Sequence, residues 1–438
     1  MLSSLALLSL PLLSAAAVYP RHDDEHSHSV ARRLPDSWYQ RDDHPVHALF
    51  RRDGPTDGVT YAQVGSPEWV SAYPAGPPAS PDPTKMPVEW LNALNDAVAR
   101  GVIPNISVTT LADPVNGIPT YPSDLNATGP EVCSATYQCR IPGDVWDAPD
   151  GALGLSFDDG PLPPSDGLYA YLAEHNQTAT HFMIGSNIIQ YPTEFLKAFG
   201  QGDDIAVHTW THPYMTTLSN EVVVAELGWT VQVIHNSTGG RVPRFWRPPY
   251  GDSDMRTRAI AKEVFGLTTV VWNQDTNDWS LSDSPPGTTA AKVNASMTQW
   301  LTGPKSPGLI ILEHELSNQS VASFQAAYPM MLSTGWQVTS LAKLMGNGSS
   351  YQNAASDEGA VVPVGNILNA VNVTVPLSSS ASALITPTAS AAAKQATPAQ
   401  ASASPSSVAK SSDALSMGPS VGLATAVAAA LFGVMLCA

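Results

Sequence analysis

The stretch Phe157-Asp158-Asp159-Gly160-Pro161 sets two adjacent carboxylates at the end of an apolar run. The run before it, Ala152-Leu153-Gly154-Leu155-Ser156-Phe157, reads as a short buried strand, and Gly160-Pro161 stops it and puts both acids in the following turn. Neighbouring side chains at a strand end point different ways, so one acid can bind a metal while the other stays free as a base. Taken alone, the pair reads equally well as a turn with two solvated acids.

Downstream the chain alternates regularly. Strand-like runs fall at Leu153–Phe157, Thr180–Ile184, Ile205–His208, Arg244–Arg247, Leu267–Trp272 and Leu309–His314, with a weaker one at Gln337–Ser340. Amphipathic stretches lie between them, at Asp166–Glu174, Glu221–His235, Met255–Val264 and Thr288–Leu301. This alternation predicts an α/β fold of parallel strands joined by helical crossovers, a distorted and incomplete (β/α) barrel. An open doubly wound sheet is the alternative, but no glycine-rich dinucleotide fingerprint follows the first strand.

Polar residues collect at the C-terminal ends of these strands, where a β/α barrel places its active site. His208-Thr209-Trp210-Thr211-His212 offers two imidazoles four residues apart, which with one carboxylate make a two-His, one-Asp metal set with positions left open for water and substrate. Without Asp158-Asp159 beside it, the same spacing is an ordinary histidine pair. In Arg247-Pro248-Pro249-Tyr250-Gly251 the prolines fix the backbone. They can hold the Tyr250 amide toward a developing oxyanion while Arg247 pairs with a carboxylate. Asp275-Thr276-Asn277-Asp278-Trp279 and Ile310-Ile311-Leu312-Glu313-His314 complete the set. A carboxylate such as Asp275 near His314 would raise that imidazole's pKa and suit it to general-acid work.

These five stretches, in this order, resemble the motifs of the polysaccharide deacetylase family, also called the NodB-homology or carbohydrate esterase family 4 domain. The resemblance covers Val145 to Leu344, and the His-Thr-Trp-Thr-His form is most like fungal, GPI-anchored chitin deacetylases. Ser156 stands where the family usually has Thr and Ile310 where it usually has Leu; neither is a reacting group. The resemblance implies that Asp159, His208 and His212 hold a divalent metal, zinc or cobalt. It implies that Asp158 is the base and His314 the acid, with Asp275 keeping His314 charged and Arg247 orienting Asp158. The Tyr250 amide would share the oxyanion, and Trp279 and Leu312 would wall the acetyl pocket. The implied reaction removes acetyl groups from the N-acetylglucosamine units of chitin to give chitosan. Deacetylation of peptidoglycan or xylan, and a wall-binding glycoprotein that has kept the barrel without catalysis, are the competing readings.

The rest of the 438 residues frames this domain. A net charge of −17 with 13% charged residues argues against nucleic acid as a partner and suits a neutral or cationic polymer. Residues 1–17 read as a secretory signal closing on Ala15-Ala16-Ala17, although no Lys or Arg precedes the apolar run. Residues 18–52, with His22, His26, His28 and dibasic pairs at Arg32-Arg33 and Arg51-Arg52, read as a pro-segment. Residues 53–144 form a Pro-rich extension expected to pack on the core. Residues 145–346 are the catalytic domain, and 347–411 a Ser/Ala/Thr/Pro-rich stalk. Residues 412–438 are expected to direct a GPI lipid anchor to Ser412, a plain tail-anchored helix being the alternative. Once the tail is removed, Cys133 and Cys139 remain and are expected to form one disulfide loop. Sequons at Asn105, Asn126, Asn176, Asn236, Asn294, Asn318, Asn347 and Asn372 fit a secreted glycoprotein.

Overall fold

A computed structural model describes residues 55–113 and 117–369. The expected signal segment, pro-segment, Asn372 and anchor region with Ser412 lie outside them. Among the described residues no helix is long and apolar enough to cross a membrane.

Every residue of β1, Ala152–Asp158, is buried. That is the continuous apolar pattern of a strand covered on both faces in a parallel sheet. β2 (Thr180–Met183), β3 (Asp204–Val207), β4 (Phe245–Trp246), β5 (Thr268–Thr269) and β8 (Gln337–Ser340) join it in one six-stranded sheet of order β5-β4-β3-β2-β1-β8. All its pairings are parallel. A short parallel pair, β6 (Gln274–Asp275) and β7 (Ile311–Leu312), lies beside it. Single parallel bridges, Leu153 to Leu309 and Asp158 to His314, connect the β7 stretch to β1. The sheet thus curls as a half-barrel, as the alternation predicts. One element divides: Leu267–Trp272 reads as a single strand, but β5 ends at Thr269 and β6 begins only at Gln274. Between them Val270 bridges Val145 while its amide still donates to the Trp246 carbonyl of β4.

The helices are α1 (Pro67–Ser71), α2 (Val88–Ala99), α3 (Ser165–Glu174), α4 (Gly185–Gln190), α5 (Pro192–Gln201), α6 (Asn220–Ser237), α7 (Met255–Phe265), α8 (Ala290–Leu301), α9 (Asn318–Ser333) and α10 (Leu341–Met345). Local chemistry sets their ends. Asp254 and Thr257 form a reciprocal capping box at the start of α7, and Gly266, at φ 67°, closes it in the left-handed conformation that favours glycine.

The Pro-rich extension shares the main core. Trp69, Trp90, Leu94 and Ala97 are buried in the same cluster as Leu155, Phe157 and Val207 of the sheet. Trp69 Nε1 donates to Ser237 Oγ at 3.0 Å, and the Trp90 ring fills the space over Gly228 of α6, where a Cβ would meet it at 2.5 Å. The other flank differs from the stalk expected from residue 347. Tyr351 and Asn353 are buried, and Gln352 Nε2 donates to the carbonyls of Pro243 and Phe265 at 2.7 and 2.8 Å. Ile367 reaches the main core. These amide side chains cover backbone carbonyls around β4 and the end of α7, work that low-complexity composition does not reveal.

Because Trp90 belongs to the core, Trp90→Ala should cost about 3–5 kcal/mol of unfolding free energy. Urea denaturation checks this, and an unchanged midpoint would make the extension a detachable appendage.

Candidate active site

Asp158 ends β1 and Arg247 follows β4, with β2 and β3 between the two strands. Both are buried. Arg247 Nη1 donates to Asp158 Oδ1 at 2.6 Å and Nη2 to Ser156 Oγ at 3.0 Å, while the guanidinium carbon lies 4.2 Å from the Phe182 ring centroid. The carboxylate is fixed from behind, and its second oxygen, Oδ2, lies 3.9 Å from His208 Nε2.

Asp159, the next residue, turns the other way because its backbone is left-handed, φ 73°. Its Oδ1 sits 3.3 Å from His208 Nε2 and 3.2 Å from His212 Nε2. One donor atom from each residue lies within 4.8 Å of the others. His208 Nδ1 is 2.7 Å from the Arg247 carbonyl, so it carries the proton and donates there, leaving the Nε2 lone pair facing Asp159. Asp159 Oδ1 is buried without a hydrogen-bond partner among the described residues. Two imidazole nitrogens and an unsatisfied carboxylate oxygen converging on one point fit a divalent cation.

The loop carrying both histidines is held by a residue that sequence reasoning missed. Buried Glu226 of α6 accepts from the Trp210 and Thr211 amides, both at 2.8 Å, and from the Thr211 hydroxyl at 2.5 Å. In the sequence it is one more polar position in an amphipathic helix, with no signal that it turns inward.

His314 faces Asp158 from the β7 side. Its carboxylate partner is Asp278, not Asp275 as expected. Asp278 Oδ1 lies 2.6 Å from His314 Nδ1, and Oδ2 accepts the His314 amide at 2.9 Å. Asn277, left-handed at φ 54°, reverses the chain and swings Asp278 inward, whereas Asp275 Oδ1 is taken up by the Asn277 amide at 2.8 Å. Burial pushes the Asp275 carboxyl up, while the Asn277 amide and the His314 charge pull it down. Burial pulls the His314 pKa down, but Asp278, by charge and hydrogen bond, with Asp159 and Asp158 behind it, raises it to about 10.

Tyr250, also left-handed at φ 57°, stacks on Tyr214 with ring centroids 3.9 Å apart and meets His212 edge-on at 4.7 Å. Trp279 is half-buried in the short turn that Asp278 begins, and Leu312 is buried on β7. Cys133 and Cys139 form a disulfide. Its loop braces the Tyr250 segment from below: Thr136 Oγ1 donates to Asp252 Oδ1 at 2.8 Å, and the Ala135 amide to the Ser253 carbonyl, also at 2.8 Å.

Residues 147–270 match the polysaccharide deacetylase family. The chain is similar to chitin deacetylase 3 of Cryptococcus neoformans var. neoformans serotype D, at 45% identity over 78% of this chain and 77% of that one. It is also similar to chitin deacetylase 2 of Cryptococcus neoformans var. grubii serotype A, at 32% identity over 76% and 75%. Among solved structures, the chitin deacetylase of Colletotrichum lindemuthianum matches with a TM-score of 0.41 and 21% identity over 47% of this chain and 92% of that one. The chain belongs to the polysaccharide deacetylase family.

Replacing Asp278 by Asn removes the main charge that holds the proton on His314, so its pKa should fall. NMR titration of the His314 ring checks the sign: the midpoint should move to lower pH, whereas Asp275→Asn should shift it less.

Proposed function

We propose that this protein hydrolyses the N-acetyl groups of N-acetylglucosamine units in chitin, releasing acetate and leaving chitosan. The observation that carries this reading is the convergence of Asp159, His208 and His212 beside an arginine-anchored Asp158, with the His314–Asp278 pair opposite. Asp159, His208 and His212 would hold a divalent cation, zinc or cobalt, which when bound would supply Lewis acidity toward the amide carbonyl and a bound water.

The chain's own residues do the rest. Asp158 takes a proton from the attacking water as the new C–O bond forms at the acetamide carbon. Arg247 keeps that carboxylate aimed through its 2.6 Å hydrogen bond. The Tyr250 backbone N–H, presented by a left-handed residue after two prolines, stabilises the oxyanion. His314 then gives its proton to the departing nitrogen as the C–N bond breaks, since an amide anion leaves very poorly. Asp278, accepting from the His314 ring, holds it protonated until that step; the acid proton shed as acetate forms then returns to His314, and Asp158 gives up the one it took from water. Trp279 and Leu312 wall the space for the acetyl methyl group.

The same reading makes the protein a secreted wall enzyme held by a GPI anchor near Ser412. A disulfide among the described residues and the fungal relatives support an extracellular setting. Asn105, Asn126, Asn176, Asn294, Asn318 and Asn347 are exposed and accessible to glycosylation. Asn236 is half-buried with its Oδ1 accepting from Gln232 Nε2 at 2.7 Å, and is the poorest acceptor of the seven described.

Purified protein should release acetate from chitin oligomers, lose that activity to a chelator and recover it with zinc or cobalt. Asp158→Asn should lower kcat by about 10²-fold or more while leaving metal stoichiometry unchanged. Acetate release from acetylxylan or peptidoglycan but not chitin would reassign the substrate. Normal turnover in the Asp158 variant would remove the assigned base.

A further inference from the structure

Behind the catalytic turn lies a buried polar cluster that the mechanism does not use. Glu315, the residue after His314, is fully buried. Its amide donates to the Asp158 carbonyl at 3.1 Å, and the Asp158 amide donates to the Glu313 carbonyl at 3.0 Å. The base and the acid are therefore the two partners of one parallel bridge. The Glu315 side chain runs back under the turn, where Oε1 lies 3.0 Å from His181 Nδ1 on β2. On the far side of the ring, His181 Nε2 is 3.5 Å from Asp203 Oδ2, and Asp203 is itself fixed by the Ala179 amide at 3.0 Å and the Gln201 side chain at 2.6 Å. Burial pulls the His181 pKa down, but the charges and hydrogen bonds of Glu315 and Asp203 raise it to about 10, so the imidazole is a cation between two acids.

The tip of this chain reaches the metal-ligand turn. A Cβ built on Gly160, directly after Asp159, would lie 2.0 Å from Glu315 Oε1. Gly160 does not have a left-handed φ, so its backbone would accept a side chain; the end of the Glu315 side chain occupies the space nearest it. An apolar side chain would fill this volume without desolvating three ionisable groups, so stability alone does not account for the cluster.

We propose that Glu315, clamped by His181 and Asp203, is a positioning residue. By pressing its carboxylate against Gly160 and its amide against the Asp158 carbonyl, it holds the Asp158–Gly160 turn and His314 in one register. This rests on the deacetylase reading for its effect on turnover, but not for its effect on the turn.

The test is a double-substitution cycle on the full chain, read by kcat and KM for acetate release from a chitin oligomer, by cobalt(II) affinity and by Tm. Gly160→Ala should lower kcat by about 10²-fold, the scale of a displaced reacting group, with KM little changed, and should weaken cobalt binding. Glu315→Ala should lower kcat by itself. Because it also vacates the space that the new methyl group needs, the double variant should turn over faster and bind cobalt more tightly than Gly160→Ala. Glu315→Gln keeps the shape and an acceptor for His181, so it should retain most of kcat and guards against a folding failure. Additive losses in the double variant, or wild-type kcat in Glu315→Ala, would overturn the proposal, as would a fall in Tm with kcat unchanged. If wild-type protein releases no acetate, the deacetylase reading fails and the cobalt cycle alone decides: restored affinity in the double variant supports the clamp, additivity rejects it.

Discussion

A guanidinium with no exposed surface must find its counter-charge inside the protein, and Arg247 finds it in Asp158. Two strands lie between the strands that carry them, so the pair forms only if β1 to β4 are in register and the sheet is curled enough to bring their ends together. Pro248 and Pro249 fix the chain just beyond the arginine, and Phe182 lies under its plane. His208 is tied to the same residue through the Arg247 carbonyl, so one loop orients both the free carboxylate and a metal ligand. The ion pair joins fold to site: the sheet makes it possible, and the positions of the reacting groups follow from it.

Left-handed backbone at residues other than glycine is uncommon, yet it recurs around this cleft at Asp159, Thr209, His212, Tyr250 and Asn277. Each reverses the chain just after a strand or within the loop that follows it. At Asp159 this separates two neighbouring carboxylates into a ligand and a base. At Asn277 it selects which of two acids reaches His314. Rigid backing offsets the cost: Glu226 under the histidine loop, the disulfide loop under the tyrosine loop, and Asp278 bonded to both ring and backbone of His314.

Much of the fold and most of the reacting groups were legible because their signals are local. A buried parallel strand is an uninterrupted apolar run, and acids or histidines at its end stand out against it. What stayed hidden depends on contacts distant in sequence. Asp275 and Asp278 are equivalent by spacing, and only the Asn277 reversal distinguishes them. Glu226 and Glu315 look like ordinary polar positions until the tertiary structure turns them inward. Helix α9 carries Pro329, a residue that argues against a helix, and forms behind its Ser317–Ser320 capping box. The segment from Ser349 to Ile367 resembles the polar sequence after it, but its Gln352 and Asn353 amides find carbonyls that no local pattern announces.

The shared core also fixes an order of events during synthesis. Trp69 finds its hydrogen-bond partner 168 residues later, at Ser237, and Trp90 packs against Gly228. The Pro-rich extension therefore leaves the ribosome before α6 and has no surface for Trp69 and Trp90 until that helix has followed it. The domain is not closed until the stretch around Gln352 has covered the carbonyls of Pro243 and Phe265. Trp69 and Trp90 therefore emerge unburied, and until α6 has been made those rings depend on other protection than the fold they will complete.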